Sequence, residues 1–181
     1  MPYKNWGEVE LQDEAFNDAA SAIAEESLVP RWGKALDAHL IADSWLNSYQ
    51  SARRVTDIRP DVFKREHDDF IQRLLQKSDC LIICDALNED KVVGWAVYSH
   101  LEGGAMCLHY AYVIHRYRQR GVFNAMLKIA GATTTSGEPP NSFVYTHDTP
   151  SMYAYTKSHD NKVLGVDSVY NPYIGNKIAY G

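Results

Sequence analysis

The chain has 181 residues and a mass of 20.5 kDa, the size of one ordinary domain, which excludes two large ones. Its apolar fraction of 45% and charged fraction of 23% exclude a disordered tail and a fibrous repeat. With 18 Lys and Arg against 23 Asp and Glu the net charge is −5, so the average surface repels phosphate polymers and generic nucleic-acid binding is disfavoured.

Taken in chain order, residues Ala15–Glu26 suit a short alanine-rich helix at the edge of the domain. From Lys34 to Ser51 the residues Leu36, Leu40, Ile41, Trp45 and Tyr49 recur at three- to five-residue intervals, which predicts an amphipathic helix with these side chains on its buried face. Pro60-Asp61 opens a second helix lined by Phe63, His67, Phe70, Ile71, Leu74 and Leu75, with Pro60 in a first-turn position.

After Ser78 the period becomes extended. Cys80–Asp85 and Lys91–His100 read as a hairpin around Leu87-Asn88-Glu89-Asp90, and Glu102-Gly103-Gly104 turns the chain into a third strand, Ala105–Ile114. A helix then begins after Gly121. Residues Ala132–Asn141 form a loop, Ser142–Thr146 a strand, and Thr149-Pro150 is a helix start in which the hydroxyl caps and proline fills the first turn. That helix ends near His159-Asp160-Asn161, and Lys162–Tyr170 and Ile174–Tyr180 are expected as further strands. The order implies one α/β domain with a mixed sheet.

No apolar stretch, such as Leu81–Cys84 or Val92–Tyr98, approaches the roughly 20 residues of a membrane span. The segment Met1–Trp6 lacks the pattern of a secretory signal, and a cytoplasmic location is the expectation. Cys80, Cys84 and Cys107 are odd in number and sparse, and read as reduced thiols. Their spacing lacks the paired pattern of a zinc site, so no metal is expected.

The chemically informative stretch is Tyr110–Leu127. There a strand stops, Arg116, Arg118 and Arg120 crowd one turn, and a helix starts at Gly121. A helix start presents unpaired N–H groups and partial positive charge, a fitting site for a pyrophosphate.

The run Tyr112-Val113-Ile114-His115-Arg116-Tyr117-Arg118-Gln119-Arg120-Gly121-Val122 resembles the signature of the GNAT N-acetyltransferases, related to the general control factor. That signature is an apolar-Val strand end, a short turn, then Tyr-Arg-x-x-Gly-x-Gly or Ala. Phe123 stands where the family has a small residue. Val93-Gly94-Trp95-Ala96-Val97 resembles the family's second hairpin strand, and Asp148, Tyr155 and Lys157 repeat the spacing of a downstream Asn, Tyr and Lys. The family's Gly-Phe pair is absent. The resemblance covers about residues 30–160 of a GNAT-like domain spanning 1–181, with a core of about 30–170. The chain also resembles the small GNAT-type proteins of tailed phages through Asp43–Tyr49 and Leu108-His109-Tyr110.

The resemblance implies a GNAT-like fold, a central, mostly antiparallel sheet flanked by helices, and transfer of an acetyl group from acetyl-CoA to a small-molecule, peptide or protein amine by direct attack. It implies donor binding by Tyr112, Val113, Arg118, Gln119, Arg120, Gly121 and Val122, with backbone N–H groups near Tyr112 and Val113 holding the thioester carbonyl. Tyr155 is the expected acid for the departing thiolate. Cys107 stands where some relatives carry a strand glutamate, so His109 or His147 is the expected base. Two alternatives stay open, a GNAT-like binding or regulatory protein without activity and a phage transferase acting on a nucleobase. A strand around Tyr110–Ile114 that splays from Phe143–Thr146 is the geometry the donor requires.

Overall fold

A computed structural model describes residues 14–24, 26–52, 59–132, 139–157 and 163–181. The elements are α1 (Glu14–Ala24), β1 (Leu28–Trp32), α2 (Asp37–Ala52), α3 (Pro60–Lys77), β2 (Asp79–Asp85), β3 (Asn88–His100), β4 (Ala105–Val113), α4 (Val122–Ala132), β5 (Ser142–Tyr145), α5 (Pro150–Lys157), β6 (Ser168–Tyr170) and α6 (Pro172–Tyr180). A 3-10 turn at His115–Tyr117 joins β4 to the loop before α4. The loops Arg53–Pro60 and Ala132–Asn141 and the helix end near His159 fall largely or wholly outside the described residues.

The six strands form one sheet in the order β1-β2-β3-β4-β5-β6. The pairs from β1 to β4 are antiparallel, whereas β4 with β5 and β5 with β6 are parallel. Both faces are covered. One core joins Leu81, Ala96, Leu108 and Phe143 to Ile23 of α1, Met126, Leu127 and Ile129 of α4 and Met152 of α5. The other joins Ile82, Trp95, Val97 and Tyr110 to Ile41 and Trp45 of α2, Leu74 and Leu75 of α3 and Ala179 of α6. Burial of these side chains, at about 1.5–3 kcal/mol for each large apolar group, holds the layers together.

Three elements differ from the expectations. Strand β1 was not anticipated, because Pro30 interrupts a five-residue segment; it is tolerated there because β1 is an edge strand. Only Ser168–Tyr170 of the expected strand Lys162–Tyr170 is extended among the described residues. Residues Ile174–Tyr180 form a helix instead of a strand. The Asn171 side chain accepts the Tyr173 N–H at 3.1 Å and Pro172 sits in the first turn, so the helix is started by its own cap. Gly175 permits the close packing of α6, since a Cβ there would stand 3.1 Å from Phe70 and 3.5 Å from Thr146.

The face of α2 is also narrower than its periodicity implies. Ile41, Trp45 and Tyr49 are buried, but Leu40 is exposed and Leu36, 90% exposed, precedes the helix. The hydroxyl of Thr149 does cap α5, accepting the Met152 N–H at 3.2 Å. No helix among the described residues is long and apolar enough to cross a membrane, and no metal-binding cluster occurs among them.

Candidate active site

Two irregularities in β4 create the site. In the antiparallel register with β3, Val97 faces Tyr110 and Tyr98 faces Leu108, so His109 is an extra residue, a β-bulge. The bulge reverses the phase of the side chains. Met106 and Leu108 lie in the core beneath α4, whereas Tyr110 lies in the opposite core beneath α2 and α3, with Tyr112 packed against it.

The second irregularity is a divergence. Strand β5 pairs with β4 only from Ala105↔Ser142 to Leu108↔Tyr145. A last bond runs from the Thr146 N–H to the Leu108 carbonyl at 3.1 Å, and the Thr146 hydroxyl donates to the His109 carbonyl, also at 3.1 Å. Beyond this point β4 continues through Val113 without β5, and a cleft of about 1290 Å³ opens between β4, α2, the start of α4 and α5. The splay that a donor requires is present.

Strand alternation decides which backbone groups enter the cleft. The Ile114 N–H donates to the Val93 carbonyl at 2.9 Å, so Ile114 and Tyr112 turn their backbone groups to β3, while those of Val113 and Ala111 turn to the cleft. The Val113 carbonyl accordingly accepts Arg118 Nε at 2.9 Å. Tyr112 therefore takes part through its ring, which stacks on Trp95 and lies under the Arg118 guanidinium. Ala111, with no reactive side chain to single it out, turns its backbone groups to the cleft; only a correct placement of the bulge would have revealed it.

The turn after β4 has a backbone geometry that suits an anion. Gln119 has φ 63° and Gly121 φ 76°, the left-handed conformations that gather successive N–H groups into a concavity. The N–H groups of Val122, Phe123 and Asn124 add those of a helix start. A Cβ on Gly121 would meet nothing within 4 Å, so glycine is required by its dihedral angle, and the space over the turn is open. Gln119, Gly121, Val122 and Phe123 all line the cleft. Arg120 does not; its guanidinium pairs with Glu26, beyond the end of α1, at 2.7 Å. These residues fit a pyrophosphate carried at the end of a ligand lying along β4.

The titratable candidates are sorted by burial. His109 is fully buried and its Nε2 lies 2.9 Å from Ser99 Oγ. Because Ser99 donates its proton to Ser78 Oγ at 3.0 Å, it must accept from His109, which fixes the Nε2–H tautomer. Cys107 Sγ sits 3.9 Å from Nδ1. Burial pushes His109 down to about 3 and the Cys107 thiol up to about 12, so both are neutral structural groups at neutral pH.

His147 lines the cleft beyond the point where the strands part. Its ring stands edge-on to Trp45, Tyr49 and Tyr110 at centroid distances of 5.4, 4.7 and 5.4 Å. Tyr110 Oη is 3.1 Å from Ser48 Oγ, and burial raises the phenol's pKa. On the other wall Tyr155 packs edge-to-face on Phe123, with centroids 5.3 Å apart. Burial raises Tyr155, although a hydrogen bond with the Val163 backbone works against the shift.

No protein-family profile matches the chain, and no curated protein matches it in sequence. Among solved structures it is similar to a possible acetyltransferase from Clostridium difficile 630, 17% identical, covering 80% of this chain and 93% of that one with a TM-score of 0.53. It is also similar to an integron cassette protein from the mobile metagenome of Vibrio cholerae, 12% identical, covering 86% and 99% with a TM-score of 0.52. The chain shares the fold of these two structures, a mixed sheet flanked by helices.

Proposed function

We propose that this chain is an acyl-CoA-dependent N-acyltransferase that moves an acetyl group to an amine. The observation that carries the reading is the divergence of β4 from β5 after Leu108↔Tyr145, which opens onto the left-handed turn at Gln119 and Gly121. The turn and the first N–H groups of α4 hold the pyrophosphate, and Ala111 and Val113 offer strand groups to the pantetheine arm. When bound, acetyl-CoA supplies a thioester whose carbonyl carbon is open to an amine.

His147 takes the proton from the acceptor ammonium, since of the two histidines that line the cleft, His109 and His147, it stands beyond the point where β4 and β5 part. His109 does not, because its imidazole is committed to Ser99 within the sheet. Tyr155, kept protonated by burial, returns a proton to the departing thiolate; its oxygen accepts from the Val163 backbone, which leaves the phenol's own hydrogen to donate. Ser44, Asn47 and Ser48 of α2 face the acceptor end of the same cleft.

The test is calorimetry with acetyl-CoA, followed by thiol release across a panel of amines. Binding with release on amine addition supports the reading, and no binding at millimolar ligand overturns it. A second reading, a binding protein without turnover, is favoured by the Phe123–Tyr155 contact that bridges the two cleft walls. Tight acetyl-CoA binding with no acceptor in the panel would favour it.

A further inference from the structure

We infer that Thr146 is a positioning residue that sets which nitrogen of His147 takes up the proton, and that it does so from the point where the donor cleft begins. This rests on the reading of His147 as the proton acceptor, while the tautomer itself can be observed without any activity.

One proton decides the tautomer. The Thr146 hydroxyl has a single hydrogen, and its partner at 3.1 Å is the His109 carbonyl, which can only accept. Thr146 Oγ1 is also 2.9 Å from His147 Nδ1. With its hydrogen already committed, the hydroxyl must accept there, so Nδ1 carries the proton and Nε2 carries the lone pair in the neutral ring. A ring flip would bring a carbon to Thr146, and the edge-on rings of Trp45, Tyr49 and Tyr110 hold the plane against it.

The same residue ends the β4–β5 pairing through its N–H bond to Leu108. Thr146 is buried, and its methyl group lies against α6 at Gly175, which keeps the side chain in one rotamer. One side chain therefore joins the bulge at His109 to the orientation of His147. The β-strand that opens the donor cleft and the group that receives the acceptor's proton are placed by a common hydroxyl.

The experiment is nitrogen-15 NMR of the histidine rings at neutral pH in wild type, Thr146→Val and Thr146→Ser, with His147 assigned by comparison with His147→Gln. Wild type should show a protonated Nδ1 and an unprotonated Nε2 at His147; the valine variant should lose that preference and the serine variant keep it. In turnover the valine variant should lose at least about tenfold in kcat, with the KM for acetyl-CoA changed by less than about threefold, and serine should restore kcat. A wild-type His147 protonated on Nε2, or a valine variant with an unchanged ring or unchanged kcat, overturns the inference. Should the valine variant not fold, the wild-type spectrum alone decides the tautomer. Absence of acyl transfer alongside the Nδ1–H tautomer would overturn the enzymatic reading and leave the role of Thr146 in orienting His147 standing.

Discussion

Phe123 and Tyr155 meet edge-to-face across the cleft, with ring centroids 5.3 Å apart and planes at 87°. Phe123 is in the first turn of α4, directly after the left-handed turn at Gln119 and Gly121, and Tyr155 is in α5; both line the cleft. The contact ties α4 to α5 at that cleft.

Truncating this bridge separates stability from binding. Phe123→Ala should lose about 1 kcal/mol of stability from the ring pair alone, within the usual range for aromatic contacts, while acetyl-CoA affinity rises. Thermal melts and calorimetry on the same samples check both. Weaker binding in the alanine variant would mean that the ring supports the donor and does not obstruct it.

Gly121→Ala should cost about 1–2 kcal/mol, the penalty for a Cβ in the left-handed region, with no added clash because nothing lies within 4 Å. Its effect on acetyl-CoA binding should be larger than that stability loss. Equal affinity in wild type and variant would remove the turn from the donor site.

The arginines should divide by their partners. Arg118 holds the Val113 carbonyl and lines the cleft, so Arg118→Ala should weaken donor binding about 10- to 100-fold, the range of a charge-assisted contact of about 1.5–3 kcal/mol. Arg120 is engaged with Glu26, and Arg120→Ala should weaken binding less. Titrations of both variants at equal ionic strength test the ranking, which a larger loss at Arg120 would reverse.

His109 should leave a signature in the pH dependence of stability. Its pKa falls from 6.5 to about 3 through burial, so between these values the unfolded chain binds the proton and the folded chain does not. The stabilisation is complete above pH 6.5 and is lost as pH falls toward 3. The slope approaches about 1.4 kcal/mol per pH unit within that window. Urea unfolding at pH 7 and pH 5 should show a drop in wild type that shrinks by about 2 kcal/mol in His109→Gln. Parallel curves for the two proteins would contradict a buried neutral imidazole.

Much of this architecture was legible in the sequence, and the failures have physical causes. Helices α2 and α3 announce themselves by apolar period, and the helix start at Gly121 by a glycine that only its dihedral angle explains. The resemblance at Tyr112–Val122 pointed to the wall of the cleft. The bulge at His109 left no trace, because a residue inserted into one strand is defined by its partner strand; without it, simple alternation misplaces Tyr110 and Tyr112. The division between His109 and His147 was equally hidden. Both adjoin strands, and only the pairing of Ser99 with one and Thr146 with the other distinguishes them. Helix α6 was missed although Asn171-Pro172 is a readable start, since Ile174, Ile178 and Tyr180 favour extended structure on propensity alone.

The termination of β4–β5 pairing at Thr146 has a consequence for the protein without ligand. Beyond Leu108, β4 is an open strand edge in the interior of its own sheet, where the backbone groups of Ala111 and the N–H of Val113 turn to the cleft. Other proteins blunt such edges with charge or proline at the periphery. Here the open edge lies in a recess lined by α2, α4 and α5, where an extended small molecule can complete the sheet.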